Sequence, residues 1–570
     1  MHDHSFLYPW FKLDPLNGFI VLAITVFTVL VLLYSFKFMS ARRCLALYYI
    51  YIILTAVASV LIVLANNLIL LLACWGFLGL TLYLLINMGD QDAPAAAKKM
   101  LIIVGGSDAL MLLGIGIVYY LCGTFQMDRI AIPLSASYLP GGSHTIYLAV
   151  IAYLCIAIAC FAKAGAMPFH SWIPDCAKSA PVAVTAYLPA ALDKLLGIYL
   201  LARISLNLFV MNKAMNNFLM LIGALTIIAG VMMALIQHDL KRLLGYHAVS
   251  QVGYMVLGIG TGNPIGIAGG LFHMLNHAIY KSCLFLSGGN VEYRAHTTQL
   301  DELGGLAKLM PITFITCMIA SFSISGIPPF NGFVSKWLIY QGLVLHVSGA
   351  ESTLQLVFSA FCLIAAMFGS GLTLASFMKL LHAVFLGQPP SALKNKGIKE
   401  VDVAMWFSCA VLAGVCILFG VFAFAIPLKY FIIPAVSISQ PLDIANLPGA
   451  WPATLATLLL IVGLALGIII FKANRLKPSL RQDSNFVGGE TEKSPGENRV
   501  SGQEFYNTIQ DLRGLRGIYA LAAKGTFDIY AQARRLFCFS RFFQFLHNGV
   551  LPTYLVWMLL GMVVLFLVLG

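Results

Sequence analysis

Runs of about 20 apolar residues recur from end to end of this chain, each long enough to cross roughly 30 Å of hydrocarbon as a helix. About 14 such runs stand out by length and apolar continuity. They cover 17–37, 44–65, 68–88, 99–121, 146–167, 181–203, 217–237, 241–261 and 265–288, then 311–342, 353–386, 402–425, 451–472 and 548–569. Of 570 residues, 60% are hydrophobic and 10% charged, against roughly half and a quarter in a soluble domain. In hydrocarbon every backbone polar group must find its partner within the protein, so the fold class is an all-α polytopic membrane protein. The opening Met1-His2-Asp3-His4 has no basic stretch ahead of an apolar one, so no cleavable signal is expected.

Charge placement sets the expected topology. Alternate short loops hold Lys37, Arg42 and Arg43, then Lys98 and Lys99, Lys178, Lys241 and Arg242, and later Arg294, Lys308, Lys394, Lys396 and Lys399. The opposite loops carry little beyond Lys12, Arg129, Arg203, Lys213 and Lys429. Basic loops stay on the cytoplasmic side, which puts both termini outside and residues 473–547 inside, at a prokaryotic cytoplasmic (inner) membrane. The net charge of +12 is thereby explained without nucleic acid. The 12 cysteines lie mostly within the apolar runs and form no CxxC, so neither a disulfide framework nor an iron–sulfur site is expected.

Charges inside the apolar runs are the functional signal. A charge at bilayer depth costs at least a few kcal/mol, and such a residue normally lines a polar path or meets a partner. This chain places Asp108, Lys163, Asp193, Lys194, His273, His277, Lys281 and Lys336 there. Two of the helices are interrupted in the same manner. One carries Lys163, then Pro168 and Pro174; the other reads Gly326-Ile327-Pro328-Pro329-Phe330 and continues to Lys336. Proline removes a backbone donor and frees carbonyls, and paired interruptions in two halves of a chain are the pattern of an inverted-repeat transporter. Two ordinary kinks are the simpler alternative.

His273, His277 and Lys281, at i, i+4 and i+8, fall along one slowly drifting helix face. Histidine titrates near neutral pH, which suits such a row to proton relay. A zinc site is the rival, but no glutamate of the HExxH kind accompanies the pair and Lys281 repels a cation; a satisfied structural pair is the other. Asp193 and Lys194 are adjacent, and neighbours on a helix face apart, so separate partners are expected for them.

These residues carry a family resemblance. Ala96-Ala97-Lys98-Lys99 with Gly106-Ser107-Asp108, and Lys163 through Phe169-His170-Ser171-Trp172-Ile173-Pro174-Asp175, are its first stretches. Asp239-Leu240-Lys241-Arg242-Leu243-Leu244-Gly245-Tyr246 with Ser250-Gln251-Val252-Gly253-Tyr254 follows. His273-Met274-Leu275-Asn276-His277-Ala278-Ile279-Tyr280-Lys281 and Gly326-Ile327-Pro328-Pro329-Phe330 with Lys336 complete it. In order and spacing they resemble the antiporter-like subunits of respiratory complex I, of multisubunit cation/proton antiporters and of energy-converting hydrogenases. The Asp-Lys form at 193–194 leans toward the hydrogenase type. Against the longest members, the chain resembles one that starts at their third helix.

The resemblance implies roles. Lys163 matches the central lysine that loads and releases a proton, Lys194 the residue bridging two half-channels, and Lys336 the titratable group of the second broken helix. Lys379 and His382 would border the exit, with a snorkelling lysine as the alternative for Lys379. One departure stands out: the family's Trp-Glu pair reads Trp75-Gly76 here. Asp108 or Asp193 would then supply the carboxylate, or this half-channel is silent.

After Lys472 a polar stretch holds Gly488-Gly489-Glu490-Thr491-Glu492-Lys493 and Ser494-Pro495-Gly496. Phe505, Ile509, Leu512, Tyr519 and Ala522 then recur at helical spacing among Arg513, Arg516 and Lys524. This amphipathic segment, ahead of a last span, resembles the lateral helix of long family members; a helix resting on anionic lipid is the alternative. Gly514, Gly517 and Gly525 are sites for interruption.

The expected organisation is N-terminal helices over 1–65, half-channel repeats over 66–237 and 238–425, a further span over 426–472, the loop and lateral helix over 473–547 and a last span over 548–570. Three functions fit: a proton- or sodium-translocating subunit of a redox-driven complex, a subunit of a secondary sodium/proton antiporter, or a structural member with an impaired channel. No GxGxxG, Walker loop or CxxC is present, so no cofactor is expected in this chain; nickel–iron, iron–sulfur or flavin centres would lie in partner subunits.

Overall fold

The computed structural model describes residues 10–42, 44–135, 143–390, 393, 397–437, 452–473, 505–506, 508–537, 539–546 and 549–569. The opening residues Met1-His2-Asp3-His4, Arg43, Lys394, Lys396 and the polar stretch from Gly488 to Gly496 lie outside them. The chain forms two compact units, Met1–Gln510 and Asp511–Gly570.

In the first unit long helices follow one another through short connections: α1 Pro15–Phe38, α2 Leu45–Leu64, α3 Leu68–Ile86, α4 Ala93–Cys122, α5 Ser143–Ala164 and the short α6 Trp172–Ser179. Next come α7 Val182–Leu208, α8 Lys213–Leu235, α9 Leu240–Gly260 and α10 Pro264–Ala295. Then follow α11 Pro311–Ser325, α12 Asn331–Ser348, α13 Thr353–Leu381, α14 Val403–Val421, a shorter α15 Phe424–Val436, and α16 Ala453–Ala473. Ten helices among the described residues are long and apolar enough to cross a membrane. Helices α9 and α10 have the length but carry His247, Gln251, His273, His277 and Lys281, and stand outside those ten.

Local chemistry marks the helix starts. Asp14 caps α1 reciprocally with Asn17, ahead of Pro15. Asp239 accepts from the Arg242 amide at α9, and Asn263 from the Gly266 amide at α10, again ahead of a proline. Side-chain oxygens thereby satisfy amides that have no partner within the helix. The unexpected helix is α15, whose Pro427 sits inside a π-type stretch and obscures the apolar run.

Both sequence breaks are real and alike. Helix α5 stops at Gly165, φ +82°, where the Phe161 carbonyl accepts from both Gly165 and Ala166. Helix α11 stops at Gly326, φ +80°, with the Phe322 carbonyl accepting from Ile327. The motif is the same Gly-x-x-Pro-Phe, over 165–169 and 326–330, with cis peptides at Met167–Pro168 and Pro328–Pro329. Only glycine enters that left-handed backbone region freely. Four helices, α7 to α10, separate the two broken ones, so the broken helices run in opposite directions, as inverted repeats require.

Helix α10 is the axis of the unit. It touches α7, α9, α11, α12 and α14 and is buried from Ile265 to Val291. Helices α8 and α9 close against each other because Gly223 and Gly253 meet; a Cβ on either would fall 2.6 Å from opposing backbone.

The second unit holds short helices, Leu515–Ala523, Ile529–Leu536 and Phe539–Leu546, and then α17 Leu551–Leu569. A continuous lateral rod is therefore not formed. Gly525, φ +72°, separates the first two short helices, whereas Gly517 stays helical.

Candidate functional site: a buried row of titratable side chains

Lys163 ends α5 one residue before the helix stops, and its side chain is wholly enclosed. Its Nζ donates to the Trp75 carbonyl at 3.4 Å and lies 5.0 Å from the Trp75 ring centre. Asp108 of α4, half-buried, faces the same lysine and the Trp75 indole. Neither the Asp108 Oδ1 nor the Trp75 Nε1 closes a direct hydrogen bond.

Asp193 lies immediately after a π-type turn, Leu188–Leu192, which contains Pro189. The wider turn changes the direction of the residues that follow. Asp193 is within electrostatic reach of Lys163 on α5 and of its chain neighbour Lys194. It is fully buried, and neither carboxylate oxygen accepts a hydrogen bond. Lys194 is equally buried; its Nζ has no hydrogen-bond partner and sits 5.5 Å over the Trp172 ring.

The row continues along α10. His277 is within electrostatic reach of Lys194, Lys281 and His273, and neither ring nitrogen is hydrogen-bonded. Lys281 donates to the Leu244 carbonyl at 2.7 Å and lies 5.7 Å from the rings of Phe285 and Phe377. His273 bonds Ser335 Oγ through Nδ1 at 2.9 Å and Gln251 Oε1 through Nε2 at 3.1 Å. Lys336, on α12 beyond the second break, donates to the Ile324 carbonyl at 2.8 Å, 4.8 Å from the Tyr254 ring, and acts electrostatically on His273. Orphaned buried polar groups are costly and rare, so a run of them is unlike an ordinary core.

Lys379 and His382 stand apart from this row at the end of α13. Lys379 Nζ donates to the carbonyls of Leu235 and Gln237, both at 2.9 Å, and so caps α8. His238 adjoins it, held below the usual histidine range by burial and then by the Lys379 charge, against a smaller pull from Asp301. His382 lies 5.1 Å from the Phe505 ring.

Gly76 departs from expectation in position as well as identity. It is exposed, and a Cβ there meets nothing within 4 Å. A side chain at 76 thus starts on the outer face of α3, while Trp75 turns inward to Lys163.

His247, Gln251, Tyr254, Tyr280 and Ser335 also belong to the site and carry no label in the sequence. The spacing of His247, Gln251 and Tyr254, at i, i+4 and i+7 along α9, is the signal that identifies one polar face. Apart from the row, Arg203 and Asp14 form a two-pronged ion pair, 2.7 and 3.0 Å, beside a cavity of 390 Å³.

The profile of the NADH:quinone oxidoreductase/Mrp antiporter transmembrane family matches residues 65–383. An Na(+)/H(+) antiporter subunit of Alkalihalophilus pseudofirmus is 30% identical over 488 residues, 80% of this chain and 59% of that protein. The NAD(P)H-quinone oxidoreductase subunit 5, organellar chromatophore 1, of Paulinella chromatophora is 31% identical over 391 residues, 66% of this chain and 56% of that protein. The chain thus spans between half and two thirds of the length of these curated relatives. A chain of the membrane-bound sulfane sulfur reductase, an archaeal respiratory membrane complex, superposes with TM-score 0.81 at 22% identity, covering 98% of this chain and 89% of that one. A chain of the Mrp complex from Dietzia sp. DQ12-45-1b gives TM-score 0.66 at 21% identity, covering 75% and 84%. This polytopic membrane protein belongs to the NADH:quinone oxidoreductase/Mrp antiporter transmembrane family.

Proposed function

We propose that this chain is a cation-translocating membrane subunit of a multisubunit, redox-driven complex, moving protons, or sodium in exchange for them, through the row from Asp108 and Lys163 to Lys336. The observation that carries the reading is Asp193: a fully buried carboxylate within electrostatic reach of Lys163 on α5 and of its chain neighbour Lys194, with both oxygens free of hydrogen bonds. A group so placed is stabilised as an anion only while a lysine is charged, so the protonation of one member sets that of the next.

Each residue has a role in this account. Lys163 loads at the first break, with Trp75 and Asp108 around it. Asp193 and Lys194 pass the proton to His277 and Lys281, and His273, tied to Ser335, hands on to Lys336 at the second break. Lys379 and His382 border an opening on the Lys241 face. Electron transfer, and any nickel–iron, iron–sulfur or flavin centre, belongs to peripheral and membrane partner subunits. The complex lies in a prokaryotic cytoplasmic membrane, with the Lys241 and Arg242 face inside and both termini outside. The near full-length likeness to a chain of a respiratory membrane complex supports the redox-driven form. The match to an Na(+)/H(+) antiporter protein over 80% of the chain supports a second reading, an antiporter without redox partners.

Purification of the native assembly, with its partner subunits identified and ion uptake followed in sealed vesicles, separates the two. Uptake driven by an electron donor is expected. Uptake that needs only an opposing ion gradient supports the antiporter, and no uptake under either condition contradicts both.

A further inference from the structure

His247 lies two turns into the buried α9, at the edge of the site, and has no part in the transfer sequence given above. Its ring is fully enclosed. Nε2 is 2.7 Å from Ser376 Oγ on α13, and Nδ1 has no hydrogen-bond partner. The charged groups facing it are Lys281 of α10 and Lys336 of α12. The Phe377 ring packs beside His247 and Lys281, 4.7 Å from the His247 ring and 5.7 Å from the Lys281 Nζ. Ser376 is one helical turn from Lys379, about 4.5 Å of rise, and Lys379 reaches the carbonyl of Gln237 in the connection between α8 and α9.

We infer that His247 is a proton carrier on a side branch, joining Lys281 through Ser376 to Lys379 at the membrane surface. The inference rests on the translocation reading above. A proton leaving the Lys281 ammonium lands on His247 Nδ1, which leaves a neutral amine and an imidazolium. The imidazolium releases its other proton from Nε2 to the Ser376 hydroxyl, whose own proton passes to Lys379 after the Lys379 ammonium has given one up to the surface. One proton enters and one leaves, and the imidazole returns neutral with its proton on the other nitrogen. Reorientation of the ring resets it. The branch opens on the face that carries Lys241, whereas the row itself ends at Lys336.

The test uses the native assembly in sealed vesicles, with proton uptake read by a pH-sensitive dye. His247→Gln keeps a polar partner for Ser376 but cannot take up a proton. The expected result is uptake at least about tenfold lower with assembly intact, and no additional loss when Ser376→Ala is combined with it. Uptake within about twofold of wild type in His247→Gln, while Lys281→Ala abolishes it, overturns the branch and leaves the row standing. Full uptake in Lys281→Ala overturns the translocation reading and the branch together. Should His247→Gln fail to assemble, Ser376→Ala alone carries the test, with a several-fold loss expected and an unchanged rate contradicting it.

Discussion

Asp193 and Lys163 sit on different helices, each with 0% of its surface exposed, and the charge of each acts on the other. Asp193 follows directly on the π-type turn that contains Pro189. Lys163 has an acidic neighbour on α7, while Gly76 on α3 supplies no carboxylate.

Asp193→Asn is expected to lower coupled ion uptake by about 100-fold, the scale of losing a positioned proton carrier, without loss of assembly. Asp108→Asn is expected to cost less, since Asp108 is only half-buried. Vesicle uptake measured side by side checks the order; equal rates for wild type and both variants would mean that neither acid serves Lys163.

Gly76→Glu is expected not to rescue Asp108→Asn or Asp193→Asn. The new side chain starts from an exposed position with open space around its Cβ. Restored uptake in a double variant would show that a carboxylate at 76 reaches Lys163 after all.

Lys379→Met is expected to lower thermal stability by about 1–3 kcal/mol, because it strips a charged donor from two carbonyls at the end of α8. A detergent-solubilised unfolding scan reads it. Unchanged stability would remove the capping role.

The Asp14–Arg203 pair predicts sensitivity to acid. Burial alone raises the Asp14 carboxyl, but the Arg203 hydrogen bond and charge, with the Asn17 and Leu16 amides, outweigh it and hold Asp14 below the usual carboxylate range. A lowered folded-state value stabilises the fold above the unfolded carboxyl value of roughly 3.9, and that contribution is lost as pH falls through the folded value. Stability should fall more steeply below about pH 4 in wild type than in Asp14→Asn; parallel curves would contradict the assignment. At neutral pH the same variant strands a buried arginine, at about 3 kcal/mol.

Much of the architecture is readable from the residues, for reasons that differ by element. Span positions and the two breaks follow from apolar continuity and proline placement, which act locally. Lys163, Lys194, His277 and Lys336 announce themselves because a charge inside an apolar run is too costly to persist without a partner or a polar path. His247 and Gln251 do not, since uncharged polar side chains in an apolar run draw no notice until α10 and α13 are seen to meet them. The nearness of Asp193 to Lys163 is a relation between two helices, and the π-type turn before Asp193 is not revealed by periodicity either. The outward placement of Gly76 depends on how α3 rotates against α4, and no single helix encodes that. The lateral segment is legible as amphipathic, but the choice of Gly525 over Gly517 as the break rests on a positive φ that only the structure displays.

The central claim is that Lys163 is the switching charge of an ion path. The direct measurement is ion uptake by the native assembly in sealed vesicles, wild type against Lys163→Ala, with subunit content verified in both. The account predicts an assembled complex whose uptake falls to the background of empty vesicles. Uptake at the wild-type rate in the assembled Lys163→Ala complex would contradict it.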